Sequence, residues 1–233
     1  MAKLPAARKT TKRGQSWDVE EARTFLESAY ADRDPLYPLW VLILVLGLRK
    51  GEAQGLVWPS VDLDNAEVWL EWQIQRGGRQ IIHKQHLKTD GSTDVLPLPD
   101  ICLAALRLQR QAQDRMRARL EQSGGIWPSD GLVFTTRSGR AIEPRAVSRR
   151  FDLRCAKAGV RRIRVHDTRR TCGSLLAAFD VYPRVAMRIL RHSKIAITME
   201  LYTMVPDKAT LAALKRLSDA LSSPDAALPD DVE

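Results

Sequence analysis

Apolar positions recur with helical spacing over most of the chain and predict a largely helical protein. Asp18 and Glu21 form a capping-box pattern at the start of the first such segment. The residues that follow make one apolar stripe: Ala22, Phe25, Leu26 and Tyr30. Next along the chain, the run Leu36–Leu48 is apolar on nearly every side, which predicts a helix at the centre of the core.

The remaining helices are predicted from capping and terminating residues as well as from periodicity. Asp100 is the expected cap of a long helix that runs to about Gln122. Pro144 suits the first turn of another helix, and Gly159 ends it. Further helices are expected over these ranges: Asp167–Ala178, Pro183–Leu190, about Ile195–Thr203 and about Pro206–Leu221.

A different pattern, alternation of apolar and polar positions, predicts strands between residues 67 and 98. Glu67–Gln75 alternates, a turn at Gly77-Gly78 leads into Gln80–Leu87, and Asp94–Leu98 follows a second polar turn. These segments are expected to pair with one another. The predicted fold class is therefore α+β, mainly α-helical with a small three-stranded antiparallel sheet.

Length and composition indicate how the chain is organised. Its 233 residues suffice for one large domain with a sizeable core. Residues 1–15 contain five basic and no acidic side chains, so we expect a flexible basic interdomain linker there. Residues 16–222 are the expected folded domain. Residues 223–233 are acidic and are expected to be disordered.

Charge and cysteine content narrow the functional classes. Lys and Arg total 37 against 28 acidic residues, and the net charge of +9 favours a polyanionic partner without requiring one. The three cysteines are far apart, which fits reduced thiols in a cytosolic protein better than disulfides or a zinc site. The longest apolar run is well short of the roughly 20 residues that cross a bilayer, so no membrane partner is expected.

Two arginine-containing segments are candidates for binding a phosphate. Arg49 ends the most apolar segment, and Glu52 is either only its counter-charge or the group that orients it toward a phosphate. His166 and Arg169 share one face at a predicted helix start, the end of a helix that favours anions. Taken alone, this second segment also fits a polar helix start with surface arginines.

Three further residues complete a set that could cleave a phosphodiester without a metal. Lys88 lies at the tip of the predicted second hairpin, where a lysine is either merely solvated or placed beside a leaving oxygen. His192 precedes Tyr202 by ten residues, and Tyr202 is either a core residue with a wet hydroxyl or an exposed nucleophile. The sequence contains no spacing typical of metal ligands, so neither a metal nor another cofactor is expected.

In combination these segments resemble the catalytic domain of the tyrosine recombinase family, also called phage-type integrases. The matching pieces occur in the family order over about residues 16–210: Gly47-Leu48-Arg49-Lys50-Gly51-Glu52, Lys88, His166-Asp167-Thr168-Arg169, His192-Ser193 and Leu201-Tyr202. One departure is Arg191, where the family usually has Gly, a residue that tolerates a left-handed backbone. Arg191 is therefore expected either to be strained or to add a DNA contact.

The resemblance implies the tyrosine recombinase catalytic-domain fold and a metal-free reaction through a covalent 3′-phosphotyrosyl DNA intermediate, followed by strand exchange and religation without ATP. It implies a role for each residue: phosphate binding for Arg49 and Arg169, general acid catalysis for Lys88, nucleophilic attack for Tyr202, help in deprotonating the tyrosine for His166, and phosphate binding or proton handling for His192.

The resemblance also implies partners. They are double-stranded DNA attachment sites, a homotetramer on synapsed DNA and accessory DNA-bending or directionality factors, in the cytoplasm of a bacterial host. Family members clamp DNA together with an N-terminal core-binding domain, so the chain is expected to be a catalytic domain or a truncated integrase. Residues expected to contact DNA outside the catalytic set are Lys9, Lys12, Arg13, Arg145, Arg149 and Arg191.

Two other functional classes stay open from the sequence. The first is a DNA-binding regulator without chemistry, because Val185–Tyr202 has a pattern like that of a helix-turn-helix motif. The second is an enzyme similar to type IB topoisomerases, which use similar residues to relax supercoils. A covalent protein–DNA adduct would exclude the regulator, and a two-site recombination assay would separate the two enzymes.

Overall fold

A computed structural model of the chain describes residues 15–78, 80–85, 95–128, 131–192 and 195–202. The helices in these residues are α1 (Val19–Ala31), α2 (Tyr37–Val45), α3 (Lys50–Gly55), α4 (Asp100–Gln122), α5 (Pro144–Ala158), α6 (Asp167–Ala178), α7 (Pro183–Leu190) and α8 (Ile195–Tyr202). The strands are β1 (Val61–Asp62), β2 (Glu67–Trp69), β3 (Trp72–Gly77), β4 (Gln80–Gln85) and β5 (Val95–Pro97), and a 3₁₀ turn spans Trp58–Ser60.

The helix α2 lies at the centre of the core, as its uninterrupted apolar sequence predicted. Residues 38–44 are all buried, and the helix packs against α1, α4 and α6. An aromatic cluster lies between α1, α2 and α5, with ring centroids 4.9–6.2 Å apart: Trp17, Phe25, Trp40 and Phe151. Each such ring removes about 150–250 Å² from water, so the cluster makes a large hydrophobic contribution to stability.

Helix ends follow the capping chemistry of the sequence. Asp18 forms the predicted capping box at the start of α1. Pro144 begins α5, and Gly159 ends it with a left-handed φ of 68°. The bounds of α6 and α7 are those predicted. The prediction for α4 was wrong in one detail: Pro99 is its N-cap, and Asp100 is the first helical residue, where its charge still favours the helix dipole.

The strands form two small antiparallel sheets where the sequence analysis placed one. The predicted first strand is interrupted at residues 70–71, so that β2 pairs with β1 and β5 while β3 pairs with β4. The strand β3 turns aside because it lies directly against α3. A Cβ on Gly55 would lie 2.5 Å from Cα of Gln73, a backbone contact that only glycine permits. The predicted class, mainly helical with antiparallel strands, is confirmed.

Several expected features lie outside the residues that the structure describes. They include the basic segment 1–14, the hairpin tip 86–94 with Lys88, the helix expected over 206–221 and the acidic tail 223–233. The proposed domain limits therefore stay predictions. Among the helices that are described, none is both long enough and apolar enough to cross a lipid bilayer.

Candidate active site

Arg49 and Glu52 form a hydrogen-bonded pair at the start of α3. Arg49 is the N-cap, and its Nη1 donates to Oε1 of Glu52 at 2.5 Å while its backbone N–H donates to Oε2 at 2.8 Å. The glutamate side chain is 4% exposed, whereas that of Arg49 is 49% exposed. Glu52 therefore fixes Arg49 through two hydrogen bonds, while part of the guanidinium stays exposed to solvent.

Arg169 lies on the first turn of α6 and is almost fully buried. Its Nη1 donates to the carbonyl of Gly47 at 2.7 Å, and its Nη2 is buried without a hydrogen-bond partner among the described residues. Burial, followed by the charges of Arg49 and Arg191, lowers the pKa of Arg169 to about 10, so the group stays cationic at neutral pH. A buried donor without an acceptor costs about 1–3 kcal/mol, and an oxyanion would satisfy it.

Gly47 sets the path of the chain between α2 and the first arginine. The helix α2 ends at Val45, earlier than predicted, and Gly47 then adopts a left-handed φ of 59°. A Cβ at this position would lie only 2.6 Å from Cδ2 of Leu190. Only glycine fits both constraints. The carbonyl of Gly47, which accepts from Arg169, therefore lies only two residues before Arg49 in the chain.

His192 follows α7 and lies close to the arginines. Its Nδ1 is 2.9 Å from Oγ1 of Thr198 in α8, a hydroxyl that is itself fully buried. Burial, and then the positive charges of Arg169, Arg49 and Arg191, lower the pKa of His192 to about 4. The imidazole is therefore neutral at pH 7. It can hydrogen-bond to an anion or exchange a proton without adding charge to the site.

Arg191 occupies the position at which glycine was expected, and it has the backbone conformation of a glycine there. Its φ and ψ are 50° and 49°, in the left-handed region. The guanidinium points into the site, where Nη2 binds Oε2 of Glu52, and the side chain is only 7% exposed. The expected contact between Arg191 and DNA stays a prediction.

Tyr202 is the last described residue of α8 and is half-buried. Its hydroxyl donates a 2.5 Å hydrogen bond to the backbone carbonyl of Val181, between α6 and α7. Burial raises the pKa of Tyr202, and it is the one cause that acts within the described residues. The hydroxyl lies on this carbonyl, and no arginine among the described residues lowers its pKa.

The helix α8, which carries Tyr202, packs closely on α6. A Cβ on Gly173 would overlap the side chain of Leu201, the residue before the tyrosine. Glycine at this position lets the two helices approach closely. The helix that carries Tyr202 therefore packs directly against the helix that carries Arg169. His166 is exposed at the N-terminal end of α6, one turn before that arginine.

The helix α5 begins beside Lys50, the residue after Arg49, and carries two of the residues predicted to contact DNA. Nζ of Lys50 donates to the carbonyl of Pro144 at 3.2 Å and to Oγ of Ser148 at 3.0 Å, which ties α5 to the start of α3. Arg145 and Arg149 are exposed on the first two turns of α5. The other predicted residues lie outside the described part of the chain: Lys9, Lys12, Arg13 and Lys88.

The structure thus brings together Arg49, Arg169 and His192, and it places Glu52 and Arg191, both named from the sequence, beside them. Sequence reasoning missed contacts that join residues with no regular spacing: the carbonyl of Gly47, the hydroxyl of Thr198, the carbonyl of Val181 and the ammonium of Lys50. The described residues contain no group of three His, Cys, Asp or Glu side chains placed to hold a metal. Metal independence stays a prediction.

Comparison with known protein sequences agrees with the resemblance seen in the motifs. The sequence pattern of the phage integrase family matches residues 18–208. A XerC-like tyrosine recombinase of Caldanaerobacter subterraneus subsp. tengcongensis is 27% identical over 216 residues, which cover 88% of this chain and 54% of that protein. An integrase of Saccharopolyspora erythraea is 27% identical over 231 residues, which cover 77% and 52%. The chain spans about half the length of these relatives.

Solved structures have the same fold at lower sequence identity. The Tn1549 transposon integrase in complex with transposon right end DNA superposes with a TM-score of 0.74 at 19% identity, over 90% of this chain and 68% of that one. The XerA recombinase superposes with a TM-score of 0.61 at 19% identity, over 87% and 65%. These similarities extend over nearly all of the residues described above.

Proposed function

The chain belongs to the phage integrase family, and from this premise we propose that it is the catalytic domain of a site-specific DNA recombinase. Tyr202 attacks a scissile phosphate of double-stranded DNA, forms a 3′-phosphotyrosyl ester and releases a 5′-hydroxyl. The 5′-hydroxyl of another strand then attacks that ester, which frees the tyrosine and joins the DNA to a new partner. Because each step exchanges one phosphoester for another, no ATP is consumed.

The observation that carries this proposal is the pair of arginines with unused donors. Nη2 of Arg169 is buried without an acceptor in the described residues, and the guanidinium of Arg49 is half exposed beside it. The described part of the site contains three guanidiniums and one carboxylate, which leave two net positive charges since His192 is neutral. A phosphodiester carries one negative charge, and its pentacoordinate transition state carries two. The site therefore favours the transition state over the ground state.

Proton transfers complete the proposed reaction. Lys88 protonates the leaving 5′-oxygen, and it is carried by the segment that follows β4. His166 helps to remove the proton of Tyr202. His192 donates a hydrogen bond to a nonbridging oxygen, a role that suits a neutral imidazole whose other nitrogen is held by Thr198. Neither a metal nor another cofactor takes part.

The proposed reaction requires a movement of Tyr202. Its hydroxyl must leave the carbonyl of Val181 before it can attack a phosphate held by the arginines. Once beside them, the phenol would experience their charge, which favours the phenolate. The hydrogen bond to Val181 contributes only about 1 kcal/mol, so binding of DNA can readily replace it.

The proposal includes partners that fit the charge and the fold. The chain acts on double-stranded attachment sites, assembles as a homotetramer on synapsed DNA and works in the cytoplasm with accessory DNA-bending or directionality factors. The Tn1549 integrase was solved bound to transposon DNA, which supports the first of these. The exposed Arg145 and Arg149 extend the basic surface from the active site along α5. Phosphate contacts of this kind position a protein on DNA without reading its sequence.

Three assays on one set of DNA substrates test the proposal. Duplexes that contain candidate attachment sites are nicked just beyond the expected cleavage position, so that the released fragment diffuses away and any covalent adduct accumulates. The same sites are placed in pairs to detect recombination and in a supercoiled plasmid to detect relaxation, each with and without a chelator. We expect an adduct and recombinant products that survive the chelator. Binding without an adduct would indicate a regulator, and relaxation without recombinants would indicate a topoisomerase.

A further inference from the structure

Arg191 has an unfavourable backbone conformation in the middle of the active site. Its φ of 50° lies in the region that residues with a Cβ avoid, and glycine would adopt it without strain. Non-glycine residues in this region persist where the surrounding structure holds them, and they concentrate at functional sites. The strained backbone at Arg191 therefore indicates a functional role for its side chain.

The side chain of Arg191 shares one carboxylate with Arg49. Oε2 of Glu52 accepts from Nη2 of Arg191 and from the backbone N–H of Arg49, while Oε1 accepts from Nη1 of Arg49. Both Arg191 and Glu52 are more than nine-tenths buried. The carboxylate of Glu52 thus links Arg191 to Arg49.

A buried carboxylate needs such a second cation. The pKa of Glu52 lies below its usual value although burial raises it, and the charge of Arg191 is the largest of the effects that lower it and keep the group ionised. Removal of a partner from a buried ion pair leaves an undercompensated charge, which then protonates or turns toward water. Either response would weaken the bond between Glu52 and Nη1 of Arg49.

We propose that Arg191 is a positioning residue of the phosphate site: it fixes Glu52, and through Glu52 it fixes the guanidinium of Arg49 where the scissile phosphate binds. Arg191 acts through its neighbours and does not itself contact the substrate. The inference rests on the proposed function, because a phosphate bound by Arg49 is what gives the positioning its effect.

Single-turnover cleavage of nicked site DNA tests this with three variants. Arg191→Gly removes the cation together with the backbone strain, and Arg191→Lys keeps the charge. Arg33→Gly is the matched control, because Arg33 has nearly the same φ, 51°, but lies in the loop between α1 and α2. We expect Arg191→Gly to cleave roughly 10- to 100-fold more slowly, as for other residues that orient a catalytic ligand, with DNA affinity within about twofold. Arg191→Lys should recover most of the rate, and Arg33→Gly should match the wild type.

A double-mutant cycle with Glu52→Gln tests the route of the effect. If Arg191 acts through Glu52, adding Arg191→Gly to Glu52→Gln should lower the cleavage rate by only about a further twofold. The reason is that Glu52→Gln has already broken the connection between Arg191 and Arg49. A loss of full size in the Glu52→Gln background would overturn the proposal. So would an Arg191→Gly variant that cleaves at the wild-type rate, or an Arg191→Lys variant as slow as Arg191→Gly.

A measurement without DNA keeps this inference separate from the proposed function. The guanidinium nitrogens of Arg49, assigned with an Arg49→Lys variant, should give separate NMR signals while the pair with Glu52 restricts rotation. We expect these signals to merge in Arg191→Gly and to stay separate in Arg33→Gly. Signals that remain separate in Arg191→Gly would overturn the positioning role. Failure of the wild-type chain to form any adduct would instead count against the proposed function alone.

Discussion

The hydroxyl of Tyr202, the proposed nucleophile, donates a 2.5 Å hydrogen bond to the backbone carbonyl of Val181. Burial raises the pKa of Tyr202 in this position, so the phenol is a poor nucleophile in the DNA-free protein. The two arginines proposed to bind the phosphate are nevertheless already held, Arg49 by Glu52 and Arg169 by the carbonyl of Gly47. In the proposed reaction, the hydroxyl of Tyr202 therefore leaves this carbonyl to reach a phosphate bound by arginines that are already in place.

The role of Lys88 can be tested by a change of leaving group. Lys88→Ala should slow cleavage by roughly two to four orders of magnitude, the range for a lost general acid. A 5′-bridging sulfur departs as a thiolate without needing a proton. A substrate that contains this sulfur should therefore restore the cleavage rate of Lys88→Ala. Lys84→Ala is the control, because Lys84 is exposed on the neighbouring strand β4 and should behave like the wild type on both substrates. If sulfur rescues Arg49→Ala but not Lys88→Ala, the assignment is wrong.

Gly47 should be intolerant of a side chain. Gly47→Ala combines a left-handed backbone with a Cβ placed 2.6 Å from Leu190, so we expect a loss of about 2–4 kcal/mol in the free energy of unfolding. Gly159→Ala is the matched control: its φ is 68°, but no atom of the described residues lies within 4 Å of the added Cβ, and it should lose only about 1–2 kcal/mol. Urea unfolding measures both. Equal losses would show that the contact with Leu190 is not a constraint.

The depressed pKa of His192 predicts how stability changes with pH. The folded protein binds a proton at this imidazole only near pH 4, whereas the unfolded chain binds it near the usual value of 6.5. The unfolded state therefore holds more protons between these values, and stability is lost as pH falls through that window. His192→Asn should lose less stability between pH 7 and pH 5 than the wild type in urea unfolding, since other groups contribute equally to both. An identical loss in the two proteins would contradict the assignment.

Much of the fold followed from local sequence chemistry. The cap at Asp18, the proline at the start of α5 and the glycine at its end are signals that act within a few residues, and the structure has all three. The interruption at residues 70–71 could not be predicted in the same way, because it depends on the contact of β3 with α3, some twenty residues earlier in the chain. A contact between distant segments leaves no periodicity in either one.

In the candidate site, too, contacts between residues close in sequence could be predicted and contacts between distant residues could not. The pairing of Arg49 with Glu52 was expected because an arginine at the edge of the core needs a counter-charge, and Glu52 lies three positions further along the chain. The bond between Arg191 and Glu52 joins residues far apart in sequence, and the hydrogen bond from Tyr202 to Val181 ends on a backbone carbonyl, which any residue type could supply. Side-chain identity therefore supplied the candidate residues, and packing decided which of them touch.

The most direct measurement is covalent trapping with Tyr202→Phe, and Tyr182→Phe is its control. Tyr182 is 65% exposed, and it is the residue after Val181 in the chain. On nicked site DNA the wild type and Tyr182→Phe should form a protein–DNA adduct that survives denaturing electrophoresis, and peptide mapping should place the DNA on Tyr202. Tyr202→Phe should bind the same DNA and yield no adduct. An adduct at the wild-type level from Tyr202→Phe, or an adduct lost with Tyr182→Phe, would contradict the central claim that Tyr202 is the nucleophile.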